Sequence, residues 1–559
     1  MTKTNRQIAI ALSLLIALIV HANGPVARAQ LKAMNTVDAY AITNARIVPV
    51  SGPVIERGTV VIRDGLLTAV GAAVVAPVDA RIIDGSGLTV YPGLIDSSSN
   101  LGIPSPAPSP ARAGGGSAAS TPAISSPNSA NPAGLQPEIM AVDFIRPGGD
   151  QIDAARNAGI TAVLTAPREG IFIGQSALIN LAGDSPQQMI VRSPVALHVG
   201  FTPLRSGTYP ASLMGVFSAI RQMLLDAGRL RDANQIYERN PRGLHRPVQD
   251  KSLIALFPVL AREMPVVMYA DSEREIRRAL DLAAEFNLRA IIAGGLESWK
   301  VTDRLRERDV PVLLSLNFPK RTTADVPEAD PDPIRVLRQR VEAPKTAGRL
   351  AAARVRFAFQ SGSMTSMSDF IGNAVKSIEA GLARDEALRA MTIRPAEILG
   401  VSDRMGTIEV GKIANLTVTR GDIFDKSSRI AYVFIDGRPV DLKPAAATTP
   451  AASGTSGGVS GSWVLKIKSA DGQEETATLS LQQQGARLSG SLQGDLGPVQ
   501  IAAGSIDESG SFRFTAPVTF GGQTTEATFT GKITGNQLTG TVQTVGRDPA
   551  TLTGTKPGS

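Results

Sequence analysis

Hydrophobic residues in the first part of the chain fall in short runs broken by turn pairs. Residues 41–48, 59–62, 66–70 and 81–83 are rich in Val and Ile. Arg63-Asp64-Gly65 and Asp84-Gly85 supply bends between them, a pattern that predicts strands joined by tight turns. The same texture returns far downstream, where residues 414–419, 430–435 and 438–440 read as strands and Asp436-Gly437 as a hairpin turn. Two such segments flanking a long stretch of different character predict one small composite β domain built from both flanks, residues 38–90 and 404–443.

Strand-like and helix-like runs alternate between these flanks. Strands are predicted at 88–96, 160–165, 189–199, 265–270, 289–293, 311–315 and 354–359, and helices at 213–227, 272–286, 300–308 and 333–340. In the second helix Ile276, Leu280 and Ala283 recur at helical spacing, and Asp271 or Ser272 can cap its start. Repetition of β-then-α units predicts an α/β fold, a (β/α)8 TIM-like barrel over residues 91–403. No Gly-x-Gly-x-x-Gly follows an early strand to favour a dinucleotide fold. One strand is missing from this count and is expected around 253–259. Residues 104–134, dominated by Pro, Ser, Ala and Gly, have little to bury and are expected to form a flexible insertion, a cover over the barrel mouth being the alternative.

After a linker at 444–457 the texture changes again. Runs at 463–467, 476–481, 488–492, 499–504, 511–514, 527–532 and 537–542 alternate inward and outward residues with Gly, Asn or Asp at the bends. Residues 458–556 are therefore expected to form an antiparallel β barrel or sandwich. Leu-Ser-Gly at 488–490 and Leu-Thr-Gly at 538–540 point to a repeated turn or bulge.

The amino terminus changes the count of residues that matter. Lys3 and Arg6 precede an almost wholly apolar run at 8–20, and Ala27-Arg28-Ala29 has the small-x-small pattern of a cleavage site, so residues 1–29 read as a signal peptide. The run is short of the roughly 20 residues a spanning helix needs, and export to the periplasm is the expectation, with no transmembrane domain in the mature chain. Removing Lys3, Arg6 and Arg28 takes the formal charge from +7 to +4. The remaining basic residues are interspersed with acidic ones, which argues against nucleic acid as a partner. Cysteine is absent, which excludes disulfides, thiolate catalysis and Cys-ligated metals. Histidine occurs only at His21, His198 and His245, and the first lies in the leader.

Val90-Tyr91-Pro92-Gly93-Leu94-Ile95-Asp96 resembles the amidohydrolase superfamily, especially its exported members similar to imidazolonepropionase and prolidase-like enzymes. Residues 387–400 look like that family's closing helices, and 405–416 like its return into the composite β domain. The resemblance spans residues 41–443. It implies a divalent metal at the C-terminal mouth of the barrel, held first by a His-x-His motif that follows the Pro-Gly-Leu-Ile-Asp strand. Here Ser98 and Asn100 stand at those two positions, Tyr269 stands where strand five should supply a His, and Gly362 falls where the final Asp is expected. Ala293-Gly294-Gly295-Leu296, around the end of strand six, offers no His. Neutral Ser and Asn oxygens cannot replace two imidazoles for zinc or a similar ion, and without the metal a bound water keeps its high pKa.

Asp96 and His198 are the catalytic candidates, His198 as a general base or remnant ligand, with a capping or core role as the alternative for each. Ser98, Asn100, Tyr269, Asp271 and Glu297 are candidate ligand-binding groups, and Trp299 can stack on a ligand; packing or surface roles compete for all of them. Ser98 lacks a visible His–Asp arrangement for serine hydrolysis, and His245 reads as loop. The leading expectation is an exported amidohydrolase-like protein with a lost metal site, acting as a non-catalytic binding or assembly partner. It would form a homo-oligomer, or a hetero-oligomer with an intact amidohydrolase relative, and take a small-molecule ligand. No cofactor is expected, the alternative being a weakly bound divalent metal (zinc, manganese or iron). The alternative function is hydrolysis of carbon–nitrogen bonds in cyclic amides or peptide-like substrates through an atypical, relocated site that is carboxylate-rich or metal-free. A third reading, surface or carbohydrate binding by residues 461–555, requires an exposed patch drawn from Trp463, Phe512, Phe514, Phe520 and Phe529.

Overall fold

A computed structural model describes residues 39–104, 124–126, 129, 131–204, 209–321, 332–362, 364, 366–442, 459–469, 474–484, 487–494, 497–501, 503–507, 510–520, 523–544 and 549–556. The leader expected at 1–29, the linker at 444–457 and most of the insertion at 104–134 lie outside the described residues. The chain divides into two compact units, Met1–Lys443 and Pro444–Ser559.

The first unit opens with β1 (Ala39–Ile47), β2 (Ile55–Arg63), β3 (Leu66–Gly71), β4 (Arg81–Asp84) and β5 (Leu88–Pro92). It continues with β6 (Leu94–Ser99), β7 (Ile160–Thr165), β8 (Phe172–Gln175), β9 (Ala177–Asn180), β10 (Ile190–Arg192) and β11 (Leu197–Val199). β12 (Val266–Ala270), β13 (Ala290–Gly294), β14 (Val312–Ser315) and β15 (Phe357–Gln360) follow, and β16 (Leu416–Arg420), β17 (Arg429–Ile435) and β18 (Arg438–Pro439) end it.

One sheet runs β18-β17-β16-β5-β1-β2-β3, with β4 parallel to β1, so strands from both flanks share it. Ile42, Val60, Leu416 and Phe434 meet in its core, and the Tyr40 ring packs edge-on against Phe434 at 5.7 Å. The chain leaves this sheet through Gly93, between β5 and β6. A Cβ there would lie 2.2 Å from Thr161 Oγ1, so only glycine lets β6 press against β7.

The middle of the unit is barrel-like but is not a regular (β/α)8 repeat. β11, β12, β13, β14 and β15 pair in parallel, and β6 pairs in parallel with β7. Between β7 and β11 stands a segment absent from the predicted strands: β9 runs antiparallel to β7, and β8 antiparallel to β11. Ser176, which joins β8 to β9, donates its N–H to Ala196 O and accepts from Val195 N–H, so one bent strand serves both sheets. On the far side β15 meets β6, where Ser97 Oγ donates to Phe359 O (2.7 Å) and Gly362 N–H to Ser98 O (3.2 Å). The strand expected around 253–259 is instead two short helices, Lys251–Ile254 and Phe257–Leu260. The predicted strand at 189–199 breaks into β10 and β11.

Alternate residues of this ring, among them Ile95, Ala162, Val267, Ile291, Leu313 and Ala358, fill the lumen. Ala396, Ile398 and Leu399 close it from the helix Ile393–Ile398 and its end. The opposite strand faces pack on the surrounding helices, such as Glu273–Glu285, whose Ile276, Ala279, Leu280 and Ala283 are buried and whose Ser272 and Glu275 form a capping box. Among the described residues no helix is long and apolar enough to cross a membrane.

The second unit contains β19 (Gly461–Lys468), β20 (Glu474–Gln484), β21 (Arg487–Gly494), β22 (Gly497–Gln500), β23 (Ala503–Ile506), β24 (Ser511–Phe520), β25 (Gln523–Thr534), β26 (Gln537–Thr544) and β27 (Ala550–Thr555). Antiparallel pairing follows chain order, β22 hangs off β21, and β19 pairs with both β20 and β27, so the sheet closes as a barrel rather than a sandwich. Trp463, Phe512, Phe514 and Phe529 are buried within it, the last three stacked in sequence. An exposed aromatic patch made from them is therefore not available; the Phe520 side chain lies outside what is described. Gly490 and Gly540 lie inside strands rather than at turns, and a Cβ on either would strike the carbonyl of Ser480 or Thr530 on the neighbouring strand.

Candidate functional site

The C-terminal ends of the parallel strands gather the polar residues of the lumen. β6 slips register between Asp96 and Ser99, and within this irregular stretch Ser98 Oγ lies 3.4 Å from Tyr269 OH on β12. Tyr269 OH also shares a 2.9 Å hydrogen bond with His198 Nδ1 on β11. Three staves are thus linked by one chain of hydroxyl and imidazole groups. His198 is fully buried, and its Nε2 has no hydrogen-bond partner. Burial pushes the imidazole down to about 3, so it is neutral at physiological pH. The Tyr269 phenol is held above its ordinary value, chiefly by burial.

Asp96 is also fully buried, one step along β6. Its Oδ1 accepts from Ser361 N–H (2.9 Å) and Ser98 N–H (3.3 Å), and its Oδ2 from Ser361 Oγ–H at 2.5 Å. Burial raises its pKa to about 6, opposed by those hydrogen bonds and by the Arg168 charge. Both oxygens are therefore turned onto the strand end of β15, where a base for an attacking water would need one free. Gly362 follows Ser361 with φ +57, and its carbonyl accepts from Arg168 Nη2 at 2.6 Å.

The structure brings Ser98, Tyr269, His198, Asp96 and Gly362 into this region and places the other candidates elsewhere. Asn100 follows β6 half-buried, its carbonyl accepting from Ile103 N–H in a turn. Asp271 lies against Gly294, whose φ of +97 and missing Cβ leave room for the carboxylate; a Cβ would come within 2.4 Å of Asp271 Oδ1. Glu297 accepts from Glu273 N–H at 2.8 Å and pairs with Lys300 at 3.0 Å, which anchors the start of the helix Glu273–Glu285. Trp299 stacks under Arg349, whose guanidinium carbon lies 4.0 Å from the ring centroid. His245 is exposed loop. Because Trp299 is occupied by a cation of its own chain, Trp299→Leu is expected to lower stability by about 1–2 kcal/mol and leave ligand binding at the mouth unchanged, read by thermal denaturation beside a binding assay.

Two residues of this region have no sequence signal. Ser361 matters because β15 lies beside β6, and Arg168 because the loop after β7 reaches across to Gly362; both juxtapositions come from the fold alone.

A divalent metal does not fit the residues at the mouth. It offers one imidazole, bonded to a phenol, and the Asp96 carboxylate with both oxygens engaged, beside neutral Ser98. Among the described residues no group of three or more His, Cys, Asp or Glu side chains gathers where an ion could be held.

A model of the amidohydrolase family matches residues 320–440. A 57-residue stretch is 46% identical to the N-acetylglucosamine-6-phosphate deacetylase of Haemophilus influenzae, covering 10% of this chain and 14% of that one. The chain thus spans well under two thirds of that curated relative's length. Among solved structures, an amidohydrolase from Thermotoga maritima MSB8 is matched over its whole length and 72% of this chain, with 24% identity and a TM-score of 0.60. That likeness establishes the amidohydrolase fold for the first unit.

Proposed function

We propose that this chain is a member of the amidohydrolase superfamily that has lost metal-dependent hydrolysis and serves as a binding or assembly partner in the periplasm. The observation that carries this reading is the linked group Ser98–Tyr269–His198, in which neutral Ser98 and Tyr269 stand at expected ligand positions and bond to each other and to the neutral imidazole. Preserving a scaffold while dissolving its metal site is what selection for shape, rather than for an activated water, produces. The partner that fits is a second copy of this chain or a histidine-complete relative. Tyr269, Ser98 and Arg168 supply donors for a small polar ligand at the mouth.

The test is to purify the full chain, dialyse it mildly, and measure bound zinc, manganese and iron by mass spectrometry beside hydrolysis of cyclic amides and dipeptides. The expected result is metal far below one equivalent and no chelator-sensitive turnover. Near-stoichiometric metal with turnover abolished by chelation sinks the proposal.

A further inference from the structure

Four arginines meet at the opposite end of the barrel-like body, on the N-terminal rim of its parallel strands. Arg262 and Arg289 lie just before β12 and β13, and Arg308 and Arg356 just before β14 and β15. Together they line a hollow of about 590 Å3 whose apolar wall includes Pro265, Leu288, Val310 and Pro311. That volume falls in the range of small-molecule sites.

Three of these cations lack a carboxylate partner among the described residues. Arg262 Nη1 donates to Asn287 O (2.9 Å) and Oδ1 (2.6 Å). Arg289 Nη1 donates to the carbonyls of Arg262 and Glu263, both at 3.3 Å. Arg308 Nη1 donates to Leu280 O at 2.8 Å. Each guanidinium is thus fixed through one nitrogen, with its remaining donors left for something else. The two carboxylates on the wall do not neutralise them: Asp309 is held by Arg356 at 2.8 Å and Glu397 by Arg394 at 3.0 Å.

Like charges converging on a concave surface repel one another, and the field they focus attracts anions. A planar fork held at its base matches carboxylate and phosphate oxygens in pairs. We infer that this hollow is a binding site for a small molecule carrying two or more phosphate or carboxylate groups on a short apolar body. It is separate from the barrel mouth and stands whether or not that mouth retains chemistry.

Calorimetric titration of the full chain at low ionic strength with pyrophosphate and with citrate tests this and distinguishes the two anion chemistries. Saturable binding of at least one is expected, weakening as salt is added and weakening roughly tenfold or more in Arg289→Gln and in Arg308→Gln. Arg46→Gln, which removes a surface cation paired with Glu56 in the composite sheet, should bind like the parent. Because Arg289 also holds backbone carbonyls, Arg289→Lys is measured as well. It keeps the charge but not the fork, and should fold and bind with intermediate affinity. Absence of saturable binding by either anion, or parental affinity in both glutamine variants, overturns the inference.

Discussion

Asp96→Ala is expected to destabilise the first unit by about 3–5 kcal/mol, in the range of a broken buried polar network. The carboxylate is the acceptor that joins β6 to β15. Its removal strands the N–H groups of Ser98 and Ser361 and the Ser361 hydroxyl. Asp96→Asn should behave quite differently. Its amide oxygen keeps an acceptor for Ser361 N–H, and the Ser361 hydroxyl can turn to accept from the amide. The variant also escapes the cost of ionising a buried acid. Burial raises the carboxyl from 3.8 to about 6, so the folded state holds its proton more tightly than the unfolded chain does. The stability this provides is complete below about 3.8 and is lost as pH rises through about 6, a swing of roughly 3 kcal/mol. Asparagine should therefore approach or exceed the parent above pH 7 and fall below it near pH 4. Denaturant titrations of the two variants at pH 4 and pH 8 provide the measurement. Equal stability of Asp96→Ala and the parent at both pH values contradicts the bridging role.

Much of the architecture was legible in the pattern of the chain because it rests on local signals. The strands 160–165 and 265–270 stand out as apolar β-branched runs, and the helix 272–286 by its period and its cap. The composite sheet shows as two separated stretches of the same texture. The bent antiparallel strand, residues 172–180, was not legible. Its sequence, Phe172-Ile173-Gly174-Gln175-Ser176-Ala177-Leu178-Ile179-Asn180, carries no mark of direction, since direction is set by which neighbours it meets. A regular barrel needs one more strand, but residues 253–259 run through two short helices, the second with Pro258 in its first turn. Ser98, Tyr269 and His198 were visible as candidates one by one. That they touch follows only from the slip in β6 and the adjacency of β11 and β12. The aromatic residues of the second unit could be named from sequence, but their placement inside depends on barrel closure.

His198 should make acid stability depend on its neighbour in a way that only a pair of variants exposes. Burial lowers the imidazole from 6.5 to about 3, so its contribution is complete above 6.5 and is lost as pH falls toward 3, about 5 kcal/mol in all. Between about pH 4 and 6 the unfolded chain holds a proton on His198 that the folded protein refuses, while the folded protein holds one on Asp96 that the unfolded chain has released. The two differences have opposite sign and equal size, so the slope they give together is close to zero across that window. Asp271, which burial also raises to about 6, titrates in this window in every variant, so the variants are read against the parent. Asp96→Asn should lose roughly 1.4 kcal/mol relative to it for each unit of acidification below pH 6. His198→Gln keeps a polar partner for Tyr269 and cannot take up a proton, so it should expose the aspartate and grow more stable between pH 6 and 4. The double variant should regain the parent's profile. Hydrogen exchange of peptides covering β6 and β11 reads the first unit alone, and parallel slopes in the two single variants would contradict the opposed titration of these two buried groups.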